Sequence, residues 1–518
     1  MKLTFVTVSA TAVKRLIEAE KAIHAELPGA LELSVYYATA ELPSDVRTRM
    51  IEDLASADFA FVDLMGTPPD AREAVNLGLD RCMGDILPYG NGAQEYLRLG
   101  RFTASVMKQV SGGRKPNMKA MGKTKASAEA APVPPECAKD MRNYARIVKY
   151  FKVSDPQNIR SMLRLILRDY GLDGRVGTVD EPREVAPVAV THPEGMTVYD
   201  SVRAYADAHG WVEGRPTVLV LFYAHLYPTD TSSAVLQIVR RLAQEHNVLP
   251  VAVSGASAET VGMLRAMLTE ELPSPPDAVL NFMSFRLGAG AMGGDAEAGT
   301  KFLAELDAPY LHPFFMSRRT VRSWRESAQG CSATEVMISL LMPELDGATA
   351  TIPVGAMSDP VLDADHGVSI EEMTVIEERV ERLVTMTKKQ IALRKKPNRE
   401  KRVALICYNY PPGEDNLFGG AFLDTFVSVA EILRRLRAEG YAVADLTVDD
   451  LTAHFAPGKA VNSGKYASGS DGMILYDVKK YTPLDEVTAA FGKAPGSVMT
   501  EGRSFLIPGM VSGNVFIG

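Results

Sequence analysis

Short apolar runs alternate with stretches of helical period from the second residue onward. Lys2–Ser9 has the pattern of a buried strand, and a helical run follows to about Glu26. Leu31–Ala38 is a second strand pattern, Pro43–Leu54 a helix, and Phe59–Met65 a third strand. Strands that are apolar on both faces, joined by amphipathic helices, predict a parallel sheet covered on both sides. The alternation restarts at Thr217–Tyr223, with a helix over Ser232–Glu245, a strand at Val248–Val253, a helix over Ala258–Glu271 and strands at Ala278–Phe282 and Pro309–Leu311. It restarts again at Val403–Tyr408, with a helix from about Phe422 to Glu439 that stops at Gly440. The expected fold class is therefore α/β, with several doubly wound, Rossmann-like units and an intervening helical region.

Between these units the character changes. Gly112–Glu136 is rich in Lys, Ala and Pro and has no apolar period. The expected layout is an α/β domain over 1–110, a flexible linker or insertion over 111–139 and a mainly helical region over 140–215. A second α/β domain over 216–395 ends in a long helix, and a third, apparently truncated, begins at 396 and runs to 518. A length of 518 residues accommodates this.

A formal net charge of -8 argues against a general nucleic-acid or membrane-surface binder. Cys82, Cys137, Cys331 and Cys407 are far apart, so no paired-cysteine metal or redox motif exists and a reducing cytoplasm is expected. The first residues resemble a strand and helix rather than a signal peptide. No apolar stretch approaches the roughly 20 residues of a membrane helix.

Several motifs resemble sites of known chemistry and fail on context. Gly122–Thr124 is a GKT, but Asn117 stands where a Walker A loop needs glycine, and no strand precedes it. Gly288–Gly293 matches GxGxxG, yet the loop continues through Gly299 and the next strand ends without an acid, which leaves a glycine-rich loop at a cleft edge. No GxSxG elbow occurs. Val253–Thr260 is a strand-to-helix turn suited to an anion or to capping. Asp63 ends a strand, where such sheets place ligand contacts, although a loop-entry carboxylate is the plainer role. The eight histidines show no metal-ligand spacing. His225 and His312 each follow a strand pattern and are candidates for one carboxyl-end cleft.

The segment "YNYPPGEDNLFGGAFLD", Tyr408 to Asp424, joins a strand to a helix. Pro411 and Pro412 stiffen its start, and Gly413, Gly419 and Gly420 permit close backbone approach to a ligand. It has no lysine, so it is not a phosphate loop. Glu414, Asp415 and Asp424 are candidate bases or guides for a hard cation. Asn416, Tyr408 and Tyr410 are candidate substrate contacts, with His225 and His312.

With its flanks, "RKKPNREKRVALICYNYPPGEDNLFGGAFLDTFVSVAEILRRLRAEGY", this segment resembles the large subunits of tetrapyrrole metal chelatases, the family of the cobaltochelatase protein CobN and the magnesium chelatase H subunit. "MPELDG" at Met342–Gly347, Trp324 in "RRTVRSWRESAQG", "YLHPFF" and "LIPGMVSGNVFIG" carry the resemblance further, in the family's order. It is specific from about Thr217 to Gly518 and covers the family's N-terminal part; Gln-Pro-x-Arg-Gly and His-Gly-x-His-Gly segments of the family are absent. The resemblance implies a protein that binds a corrin precursor or porphyrin. It implies Co2+ or Mg2+ as the metal substrate, and ATP used by AAA+ partner subunits rather than bound here. A separate C-terminal chelatase polypeptide is a further implied partner, and completed in this way the chain would form nitrogen–metal bonds. Cobalt, in cobalamin synthesis, is the first expectation, with magnesium into protoporphyrin IX, nickel, or a non-catalytic carrier as alternatives. The metal ligands stay unassigned.

Overall fold

The computed structural model describes residues 1–39, 41–90, 92–110, 134–225, 229–289, 293–408, 418–420, 422–455, 473–477, 500–501 and 504–518. Of the expected linker over 111–139, residues 111–133 lie outside them, and a helix already begins at Ala138. The chain divides into two compact units, Met1–Ile391 and Ala392–Gly518.

The first unit contains two large sheets, each doubly wound, and a two-stranded hairpin. In the first, Lys2–Thr7 pairs in parallel with Glu32–Tyr37 on one side and Phe59–Asp63 on the other, and Asp85–Tyr89 extends the parallel run. Successive side chains of a strand point to opposite faces. Phe5, Phe59 and Phe61 therefore meet the helices Ala10–Glu26, Ala138–Val153 and Pro156–Asp169. Val6, Ala60 and Val62 meet Ser44–Ser56 and Pro69–Leu79 on the other face. Burying each such large apolar side chain contributes about 1.5–3 kcal/mol, so the wholly apolar strand sequences follow from two covered faces.

The second sheet has eight strands in the order Met373–Val375, Ala350–Met357, Tyr310–Thr320, Ala278–Asn281, Thr217–Tyr223, Asn247–Val253, Val188–His192, Thr197–Tyr199. Its five central strands are parallel, and the outer ones antiparallel. The region 140–215 thus supplies two strands of this sheet as well as helices. A hairpin, Val361–Asp363 with Val368–Ile370, leaves the sheet between its last two strands.

One strand differs from expectation. The sequence pattern stops at Leu311, but the strand runs from Tyr310 to Thr320. Proline cannot donate to a ladder, yet Pro313 lies inside this strand. Beyond Leu311 the strand pairs only with Ala350–Met357, with a bulge after Phe314, and the missing N–H falls where pairing with Ala278–Asn281 has already ended.

The second unit has a small sheet in which Val515–Ile517 lies between Val403–Leu405, in parallel, and Met510–Ser512, antiparallel. Leu433, Leu451, Val515 and Ile517 are buried together with Phe418 and Phe455. The helix Thr425–Ala438 ends at Gly440, whose φ of 82° is the expected left-handed stop, and Tyr441 N donates to Leu436 O. Met473–Asp477, Ser504–Pro508 and Thr500–Glu501 form a further antiparallel sheet.

Candidate functional site

In doubly wound sheets, ligands bind at the carboxyl ends of strands, where the strand order reverses. The second sheet reverses at Thr217–Tyr223, between Asn247–Val253 and Ala278–Asn281. Tyr223 Oη donates to Ser284 O at 3.1 Å and closes the two loops together. Asn281, fully buried, accepts from Met283 N at 3.0 Å and donates to Tyr310 Oη at 2.9 Å. The glycine-rich loop is held at its root. Asp346, from "MPELDG", pairs with Arg286 Nε at 2.7 Å and accepts from Leu287 N at 2.8 Å. Burial pushes the Asp346 carboxyl up, and Arg286 and the Leu287 N–H oppose this. Gly290, Ala291 and Met292 are outside the described residues.

His225 lies two residues past Thr217–Tyr223, with its ring 5.3 Å from that of Tyr223. Burial, with a smaller contribution from the Lys152 ammonium, pushes its pKa down to about 4. Its Nδ1 is enclosed and makes no hydrogen bond among the described residues. A neutral imidazole in such a place can accept a proton or ligate a metal ion. His312 is placed differently. It is 0% exposed, inside the strand Tyr310–Thr320 rather than after a strand. Burial pushes its pKa down to about 4 as well, with the Asn281 backbone opposing the shift. By register His312 is level with Leu221, so about 13 Å of strand separates it from His225 along the sheet. The structure does not bring the two histidines together.

The first sheet reverses at Lys2–Thr7, and its carboxyl end faces that of the second sheet. Ala10, Ala234, Met357 and Met373 form a small apolar contact there, flanked by Tyr37 and Phe315. Asp230 N donates to Thr11 Oγ1 at 2.5 Å. Asp63 is 0% exposed and accepts from Thr7 Oγ1 at 3.4 Å and Met65 N at 3.3 Å, which ties its carboxylate to the ends of two adjacent strands. Gly66 is needed at the next turn. Its φ of 85° is in the left-handed region that favours glycine, and the Arg318 guanidinium from the second sheet rests over it. Arg318 is exposed, and no carboxylate among the described residues pairs with it. Beside these groups is a crevice of about 230 Å³ lined by Thr11, Arg15, Asp230, Glu371 and Glu372 among others.

In the second unit, Asp424 is the cap of the helix Thr425–Ala438, its Oδ1 accepting from Val427 N at 3.1 Å. Tyr408 is 74% exposed. The Phe418 ring is 4.5 Å from that of Phe455. Tyr410, Glu414, Asp415 and Asn416 lie outside the described residues. Among the described residues no group of three or more His, Cys, Asp or Glu is placed to hold a metal ion, and no helix is long and apolar enough to cross a membrane. Asn281, Arg286, Asp346 and Arg318 were not singled out as site residues. Asp346 alone carried a signal, its place in a family motif.

The architecture defines an α/β chain with two doubly wound sheets meeting at their carboxyl ends. The chain belongs to the CobN/magnesium chelatase family, which matches residues 148–518. The magnesium chelatase H subunit of Chlorobaculum parvum is 28% identical over 406 residues, 75% of this chain and 30% of that protein. The aerobic cobaltochelatase protein CobN of Sinorhizobium sp is 26% identical over 313 residues, 58% of this chain and 24% of that protein. The catalytic subunit of cobaltochelatase from Mycobacterium tuberculosis shares the fold over 100% of this chain and 38% of its own, with a TM-score of 0.53 at 17% identity. The chain thus spans less than a third of the length of these two curated relatives.

Proposed function

We propose that this chain is a tetrapyrrole-binding part of a metal chelatase large subunit that inserts cobalt into a corrin precursor. Family membership over residues 148–518 is the observation that carries the proposal. Metal insertion exchanges two pyrrole N–H protons for one divalent ion, so the site needs proton acceptors and a holder for the macrocycle's acidic or amide edge. Neutral His225 suits the first task, with Glu414, Asp415 and Asp424 as further candidates. Tyr408, Tyr410 and Asn416 remain candidate macrocycle contacts. His312 is sealed in the sheet and would act only through its neighbours. Arg318, exposed over Gly66 and without a carboxylate partner among the described residues, suits the second task. At about 230 Å³ the crevice is below the usual range of ligand pockets, so the chain would supply one wall of a larger site. ATP would be spent by AAA+ partner subunits and the rest of the site supplied by a second chelatase polypeptide, all in the cytoplasm.

Magnesium into protoporphyrin is the second proposal, supported by the longer alignment with the magnesium chelatase relative, 406 residues against 313. The test is a titration of the purified chain with hydrogenobyrinic acid diamide and with protoporphyrin IX, followed by visible absorption. Band shifts with one macrocycle, followed by insertion of Co2+ or Mg2+ once partners and ATP are added, support the matching reading. Shifts without insertion under the same conditions indicate a carrier. No shift with either macrocycle sinks the proposal.

A further inference from the structure

The hairpin Val361–Ile370 belongs in sequence to the second sheet, but it packs on the first. Val368 is buried in the first sheet's core, beside partly buried Ile370. Arg49 Nη2, from the helix Ser44–Ser56, donates to Gly367 O at 3.3 Å. At the hairpin's turn sits His366, its side chain 7% exposed. Nε2 is 2.6 Å from Glu20 Oε2, on the helix Ala10–Glu26, and Nδ1 is 2.8 Å from Asp363 Oδ1 on the hairpin. The two carboxylates are themselves 12% and 14% exposed.

A neutral imidazole has one N–H and one lone pair, whereas an imidazolium donates from both nitrogens. With a carboxylate oxygen at hydrogen-bond distance from each nitrogen, the neutral ring would face one of them with a lone pair. The geometry therefore points to a cationic His366. We propose that His366 is a proton-dependent latch, which holds the hairpin and with it the two sheets of the first unit together when charged, and releases the hairpin when neutral.

Other charges near the ring come from several elements. Lys21 and His24 lie on the same helix as Glu20, and Lys21 Nζ is 3.8 Å from Asp363 Oδ2. Asp365 is on the hairpin turn, Glu32 and the Met1 amino group line the adjoining surface, and Arg49 approaches from the second helix. Burial pushes His366 down, but its hydrogen bonds to Asp363 and Glu20, and their charges, outweigh this and raise its pKa. The sign follows: the latch is fully closed below the ordinary histidine value and is lost as pH rises through the raised one. Glu371, Glu372 and Met373, which follow the hairpin directly, line the crevice between the sheets, so release would loosen one wall of it. The inference does not depend on the chelatase proposal.

The test uses the full chain labelled with 15N-histidine, whose eight rings can be assigned by single substitutions. His366 is expected to titrate above 6.5. Amide exchange of residues 361–370, corrected for intrinsic rates, should rise at least about tenfold between pH 6 and pH 9, while Thr217–Tyr223 stays protected. In His366→Gln the hairpin should exchange at pH 6 as fast as the native hairpin does at pH 9. If that variant does not fold, the titration of the native chain decides. A His366 midpoint at or below 6.5, unchanged hairpin exchange, or equal loss of protection in Thr217–Tyr223 overturns the proposal.

Discussion

Replacing Asp346 by alanine tests whether the glycine-rich loop is held at its root by a buried carboxylate. Asp346 is 4% exposed and makes two bonds, to Arg286 Nε at 2.7 Å and from Leu287 N at 2.8 Å. The substitution removes a charge-assisted pair and leaves a buried N–H without its acceptor. A hydrogen bond to a charged group contributes about 1.5–3 kcal/mol, and an orphaned buried donor costs about 1–3 kcal/mol. Against these stands the cost of burying the carboxylate, visible in its raised pKa. Arg286 is itself only 24% exposed in its side chain and is not fully recovered by water. The expected net loss for Asp346→Ala is about 3 kcal/mol. Asp346→Asn keeps an oxygen for Leu287 N and sheds the burial cost, so about 1 kcal/mol is expected. The assay is chemical unfolding of both variants and of Arg286→Ala in a double-mutant cycle, where a coupling of about 1–2 kcal/mol is expected. An Asp346→Ala variant within about 0.5 kcal/mol of the native chain, or a loss undiminished in the Arg286→Ala background, would refute the anchoring argument.

Three further outcomes are expected. Asp424→Ala should cost about 1 kcal/mol in the second unit's stability by urea unfolding and Asp424→Asn almost nothing, as for a helix cap; an equal loss in the Asn variant would refute the capping role. His192 and His209 stack at 4.3 Å, and burial, aided for His192 by the charge of His209, lowers both pKa values. Their contribution is present above the ordinary histidine value and lost as pH falls through the lowered ones, so the thermal midpoint should drop from pH 7.5 to pH 5, and less steeply in a His192→Phe, His209→Phe variant. Gly299→Ala would set a Cβ 2.1 Å from Leu287 O, and the resulting shift of the helix Ala296–Leu306 should cost about 1–3 kcal/mol by urea unfolding.

Thr217–Tyr223 and Ala258–Glu271 coincide with their sequence patterns because each signal is local: seven residues with five apolar in a row, and a helix capped by Ser257. The parts that were illegible depend on partners far away in sequence. The strand Tyr310–Thr320 was expected to stop at Leu311, and its continuation through Pro313 depends on where a neighbouring strand ends. That error also misplaced His312, which looked like a loop histidine and is a core one. The hairpin Val361–Ile370 has strands of three residues, too short for a period-two signal, and exists because the other sheet receives it. His366 stood as one unpatterned histidine among eight, since its partner Glu20 is 346 residues away. Family motifs carried a different kind of signal. "MPELDG" does not display its role in any local pattern, yet the structure uses its aspartate to fasten the loop at the sheet's reversal point. Such a residue is recognisable from sequence only through kinship, and its energetic weight only through the bonds it makes. For that reason the Asp346 cycle is the more discriminating experiment: it measures whether the aspartate of this motif serves as the anchor, which predicts coupling to Arg286 in the unliganded chain.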